Sequence, residues 1–206
     1  MPPRARKVQD KWRMKEWYDI VAPPYFGGTT LGSVPSNDPN KLVGRVVETT
    51  LYDLTGDFSQ QYLKIRFQVI GVTGTEASTV FKGHEYARDY LRSLVRRGST
   101  RVDTIQNVNT KDGYRLRVSV VAFSVGRLNK KQIASIRRLS REILNKKANE
   151  LTFDQFVQEA VLGKIASDIY NAAKKITPLR HVGVRKSKLI ALPTAKPMEV
   201  PAAASA

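Results

Sequence analysis

Cysteine is absent from the 206 residues. That excludes a disulfide framework, a thiolate zinc site, an iron–sulfur cluster and a thiol nucleophile. Histidine is scarce: His84 and His181 are the only two, too few for a His-rich metal site. No stretch approaches the roughly 18 apolar residues of a membrane span. The basic, polar N-terminus has no apolar run behind it, so no secretory signal is read there. Recurrent catalytic signatures are missing too. There is no Gly-x-x-x-x-Gly-Lys loop, no Gly-x-Ser-x-Gly and no His-Glu-x-x-His. His84 and His181 read as solvated or capping residues rather than bases. Asp53, Asp57 and Asp112 read as turn carboxylates that bond their own backbone. The expectation is no enzyme, no catalytic residue, no metal and no cofactor.

Acid is the scarce charge: 18 Asp and Glu stand against 35 Lys and Arg, a net +17. The chain is 41% hydrophobic, enough to build a core. A folded, very basic protein of this kind has a polyanion as its partner, nucleic acid first. The excess is also uneven. Residues 1–17 hold six basic residues and two acids, residues 18–126 thirteen and ten, residues 127–192 fifteen and five. Clustered cations suit phosphates, because neutralising phosphates releases condensed counterions.

Residues 1–14 read as a flexible basic arm, with Arg4, Arg6, Lys7, Lys11 and Arg13 as RNA-binding candidates, joined by Lys15 just beyond. The aromatics Trp12, Trp17 and Tyr18, followed by Ala22, Pro23 and Pro24, read as an anchor onto the core, with base stacking as the rival. Residues 27–41 read as a loop. A β-rich core is expected over 15–126. Leu63, Ile65, Phe67 and Val69 alternate with Lys64, Arg66 and Gln68, the pattern of a half-buried strand. Residues 101–108 and 114–124 make a hairpin around Asn109–Gly113, placing Tyr114, Leu116, Val118 and Val120 on one face and Arg115 and Arg117 on the other. An inserted helix is expected from about Glu85 to Arg96, carrying Arg88, Arg92 and Arg96 as a rail at i, i+4 and i+8.

After Arg127 the apolar period lengthens to that of a helix. A first helix, about Lys130 to Ala148, carries Lys130, Lys131, Arg137, Arg138 and Arg141 opposite its apolar sector. A second starts at Thr152, with Gln155 three residues on as a capping box. A third runs to about Ile176 before Pro178. A last segment over 181–192, read as a strand, contains Arg185, Lys186 and Lys188. Residues 127–192 are expected to pack on the core as one domain, and 193–206 form a Pro/Ala-rich disordered tail. The fold class is therefore α+β: a central antiparallel or mixed sheet, one inserted helix and a C-terminal helical segment, between basic disordered termini.

Four segments in register carry a resemblance. Lys15–Pro23 with Phe26, Gly44–Glu48 with Leu51, Asp53 and Leu54, Thr110–Arg117, and Ile176–Leu179 leading into Val184–Leu189 resemble the S-one-e (formerly S-three-a-e) family of archaeal and eukaryotic small-subunit ribosomal proteins. The resemblance implies a β-barrel-like sheet with accompanying helices and a cytoplasmic, ribosomal location. It implies a structural, rRNA-binding role on the platform, near the mRNA exit and the 3′ end of the small-subunit rRNA. Small-subunit rRNA, neighbouring ribosomal proteins and mRNA near the exit are the implied partners, with no membrane and no small-molecule substrate. Arg185, Lys186 and Lys188 lie within the matching C-terminal motif. A transiently associating RNA chaperone and an RNA-modifying enzyme are the rival readings.

Overall fold

The computed structural model describes residues 12–193. The arm candidates Arg4, Arg6, Lys7 and Lys11, and the tail from 194 onward, lie outside the described residues. The chain divides into two compact units, residues 1–88 and 89–206.

The first unit is built on five strands: β1 (Glu16–Val21), β2 (Thr30–Ser36), β3 (Val46–Thr50), β4 (Leu63–Thr73) and β5 (Glu76–Tyr86). Their order is β2-β1-β5-β4-β3, with β1 parallel to β5 and every other pair antiparallel. The alternation over 62–70 is realised in β4, where Leu63, Ile65, Phe67 and Val69 are buried. Tyr18, Ile20, Leu42, Val69 and Ala77 form a core cluster, with Leu31, Val34, Val47 and Val72 packed against it. Phe26 adds edge-to-face packing on Phe67 at 5.5 Å and stacking on Phe81 at 6.1 Å.

Several expectations change here. The stretch 27–41 is not all loop, because Thr30–Ser36 pairs with β1. Val46 to Tyr52, rich in β-branched residues, reads as β throughout, but β3 ends at Thr50 and a short helix, α1 (Leu51–Thr55), follows. Asp53 starts it, accepting the Thr50 N–H and hydroxyl at 2.9 and 2.8 Å. Those bonds hold the Asp53 carboxyl below its ordinary range. His84 is neither solvated nor a cap: it sits buried within β5, paired with Ile65 and tilted against Phe81.

The second unit holds α2 (Arg88–Leu94), whose first residue ends the first unit, then β6 (Arg101–Asn109), β7 (Arg115–Ser124), α3 (Lys130–Glu150), α4 (Phe153–Val161), α5 (Lys164–Ala173) and β8 (Leu179–Ala191). The three strands are antiparallel in the order β6-β7-β8. The architecture is α+β with mixed pairing, as expected. The described strands of neither unit close into a barrel: β2 and β3 are outer strands in the first unit, and β6 is an outer strand in the second.

The three C-terminal helices form as the periodicity predicts. Asn129 N–H donates to Gln132 Oε1 at 3.0 Å and Thr152 N–H to Gln155 Oε1 at 3.4 Å, the return halves of two capping boxes. Phe153, Phe156, Val157, Ala160 and Val161 are all buried. Gly163, at φ +87°, permits the left-handed turn between α4 and α5. Helix α3 packs on β6 and α5, and α5 packs on β8. Lys147 joins the three helices, at 3.5 Å from Glu159 and 3.1 Å from Asp168. The bond to Asp168 holds its ammonium above the ordinary lysine range.

Candidate nucleic-acid interface

Register decides which side chains of the second unit share a face. Val102, Thr104 and Val108 of β6 oppose Ala122, Val120 and Leu116 of β7, and all are buried. Helix α3 covers this side, where Gln106 Nε2 donates to Asn145 Oδ1 at 3.4 Å. Residues of the other parity form the second face. There Arg117 stands between Asn107 and Lys188, and Ser119 between Ile105 and Lys186. Arg115 lies at the hairpin end, between Asn109 and Ala191. Toward the opposite end the same face is closed: Phe123 is buried and lies against His181, which meets Tyr90 of α2 edge-on. Burial and the neighbouring Arg180 push the His181 imidazole below its ordinary value. His181 is thus half-buried among rings rather than solvated.

The exposed part of this face is a row of cations. Arg115, Arg117 and Lys188 are exposed, and Lys186 is half-buried. Arg117 Nε donates to Asn107 Oδ1 at 3.0 Å, which aims the guanidinium along the sheet. Arg185 falls at a bulge, where Ser119 pairs with Lys186 but Val120 pairs with Val184.

A second basic surface runs along α3. Lys130, Lys131, Arg137, Arg138 and Arg141 are all exposed. Arg137 Nε donates to the Asp103 carbonyl of β6 at 3.2 Å, so the middle of the stripe is tied to the sheet.

The expected rail of Arg88, Arg92 and Arg96 is only partly formed. β5 continues through Glu85 and Tyr86, and α2 stops at Leu94. Arg88 and Arg92 share a helix face at i and i+4. Arg96 lies in the following turn, where its carbonyl accepts the Ser99 hydroxyl at 2.7 Å. Arg13 and Lys15 belong to the first unit, beside an exposed Trp12 and Trp17.

Charge divides as the surfaces do. The second unit carries 23 Lys and Arg against 9 Asp and Glu, a net +14, and the first 12 against 9, a net +3. In the first unit Lys64 and Arg66 both bind Glu48, at 3.0 and 2.8 Å, and Arg66 also reaches Glu85. Arg66 above all, with Lys64, holds the Glu48 carboxyl below its ordinary range. By contrast, Arg88, Arg92, Arg96, Arg115, Arg117, Lys130, Lys131, Arg137, Arg138, Arg141, Arg185 and Lys188 meet no carboxylate among the described residues. Twenty-one-residue α3 and the sheet therefore present cations that no described carboxylate neutralises. Asn107 is a part of this surface that charge counting missed; its signal is its place opposite Arg117 at period two. No three His, Asp or Glu side chains gather as a metal site among the described residues. None of their helices is long and apolar enough to cross a membrane.

The second unit thus presents exposed cations on both its sheet and α3. The Ribosomal S3Ae family model matches residues 3–193. Three archaeal proteins called small ribosomal subunit protein eS1 are similar over most of their length. That of Desulfurococcus amylolyticus is 55% identical over 91% of this chain and 88% of its own. Those of Sulfurisphaera tokodaii and Staphylothermus marinus are 51% and 46% identical, covering 90% and 94% of this chain and 96% and 92% of theirs. The chain belongs to the ribosomal S3Ae family, and it is a structural protein rather than an enzyme.

Proposed function

We propose that the chain is an integral component of the small ribosomal subunit that binds rRNA phosphates through the two basic surfaces of its second unit. The observation that carries this reading is the row Arg115, Arg117 and Lys188 beside the α3 stripe, exposed and without carboxylate partners. Such groups bind phosphate in forked geometry and recognise RNA by shape more than by sequence. Arg4, Arg6, Lys7, Lys11, Arg13, Lys15, Arg88, Arg92, Arg96, Arg185 and Lys186 are further candidates for phosphate contact. The relatives' name supports the small subunit as the site of assembly. The motif resemblance supports a platform position near the mRNA exit and the 3′ end of the small-subunit rRNA, among neighbouring ribosomal proteins and near mRNA.

Sedimentation tests the proposal. The protein should travel with the small subunit through a moderate salt wash. Recovery of most of it at the top of the gradient would instead indicate a transiently bound chaperone.

A further inference from the structure

The outward face of β1 differs in chemistry from the cationic faces. Trp17, Asp19 and Val21 share that parity, while Tyr18 and Ile20 between them are buried. Register sets Asp19 beside Glu76 and Val21 beside Ser78 of β5. Where β1 ends, Val21, Pro23, Pro24, Gly27 and Gly28 give apolar walls to a cleft of about 510 Å³. Glu76 is the single ionisable group among the described residues that line it. Both glycines hold a positive φ, and the space where a side chain would project is open. Trp17 is 59% exposed, which forfeits burial that a large ring gains in a core.

The two carboxylates are the second feature of this face. Asp19 and Glu76 are like charges directly opposite on neighbouring strands, an arrangement that destabilises a sheet. Neither forms an ion pair among the described residues, in a chain of net charge +17. Elsewhere in the first unit a strand carboxylate is matched: Glu48 takes both Lys64 and Arg66. Unmatched carboxylates repel phosphate, so this face does not extend the rRNA-binding surfaces. They suit a cation carried next to apolar side chains. Neighbouring strands lie about 4.8 Å apart, so one guanidinium can donate to both carboxylates. Trp17 to Val21 covers about 13 Å of strand, which an extended segment spans with side chains at alternate positions.

We propose that this face docks an extended segment of a neighbouring protein with an apolar residue, an Arg or Lys, and a second apolar residue at i, i+2 and i+4. One apolar side chain enters the cleft beside Val21 and Pro23. The cation lies between Asp19 and Glu76, and the other apolar side chain covers Trp17. The site rests on the small-subunit reading only for the presence of a protein neighbour.

The free full-length chain is titrated with the labelled, end-capped peptide Leu-Ser-Arg-Ser-Leu, which places both leucines and the arginine on one side. Counterparts with Ser for both Leu, or Glu for Arg, should bind about tenfold more weakly or worse. Asp19→Asn and Glu76→Gln should each weaken binding about two- to fivefold. Neither should lower the unfolding temperature, because a like-charge pair is relieved. Asp19→Glu should retain most of the affinity. In a Trp12→Phe background, saturation should shift the emission of Trp17. No binding of the leucine peptide, equal affinity for the serine peptide, or unchanged affinity in the Asp19→Asn, Glu76→Gln double variant overturns the site. On assembled small subunits, a photoreactive residue at Thr73, which lines the cleft, should join another protein at an Arg or Lys flanked by apolar residues. The double variant should lose that adduct. Adducts only to rRNA, or only to residues 1–11 of this chain, overturn the assignment to a protein neighbour. Failure to travel with the subunit sinks the integral reading, whereas failure of the free-chain titration sinks only this face.

Discussion

Asp112 Oδ2 accepts the backbone N–H of Phe153 at 2.9 Å, so the turn between β6 and β7 closes the first turn of α4. A carboxylate expected to bond its own turn serves a helix 41 residues away instead. Lys111 N–H donates to the Leu151 carbonyl at 3.3 Å, and Tyr114 stacks on Phe153 with ring centres 4.2 Å apart. The hairpin end is thereby tied to the helical layer at three points.

Replacing Asp112 with Ala should remove the cap and cost about 1 kcal/mol of stability. Asp112→Asn keeps an acceptor and should cost less. Thermal unfolding of both variants checks the order. An Asp112→Ala protein as stable as wild type would show that Thr152 and Gln155 suffice.

Converting Arg137, Arg138 and Arg141 together to Ala should weaken rRNA binding and flatten its salt dependence. The slope of log K against log salt should fall by about 0.7 to 0.9 for each phosphate no longer neutralised. Binding titrations over a range of salt measure it. An unchanged slope would mean that this face of α3 is only solvated.

The environment of His181 makes stability depend on pH. Burial chiefly, and Arg180 as well, lower its folded-state value below that of the unfolded chain. The unfolded chain therefore takes up the proton first as pH falls. Stability is full above the ordinary histidine value, about 6.5, and declines as pH drops through it toward the folded-state value. In denaturant titrations from neutral to mildly acidic pH, His181→Phe should lose that part of the decline. A pH dependence identical to wild type would contradict this origin.

Where one face of an element is buried, its sequence is readable. The β6–β7 hairpin and the amphipathic α3 and α4 are marked by period and turn chemistry. Sequence and structure part where a third element decides the outcome. Thr30–Ser36 holds glycine, proline and serine and resembles a loop; it becomes a strand only because β1 lies beside it. Glu85 and Tyr86 extend β5 because Lys64 and Leu63 pair with them, which removes the expected helix its first turn and Arg96 its place on a rail. Of the expected anchors Trp12, Trp17 and Tyr18, Tyr18 is buried as expected while Trp12 and Trp17 stay exposed, and Phe26 packs on Phe67 and Phe81 instead. Among cations, sequence spacing finds the stripes of α3 and β7. It does not tell them from Lys147, which looks equally exposed on a helical wheel but is spent on Glu159 and Asp168.

The bulge at Arg185 has a consequence for how the C-terminal strand can vary. Lys188 and Lys186 lie on the open face, yet Val184 and Val182, which continue the same even numbering, oppose Val120 and Ala122 on the helix-covered side. One supernumerary residue reverses the parity between them. Arg185 thus acts as a spacer as well as a cation. Exchanging its side chain trims a surface, but deleting the position would rotate everything on one side of it by half a turn. Either the lysines would enter the core or the valines would leave it. In this strand the count of residues is a stricter constraint than their identity.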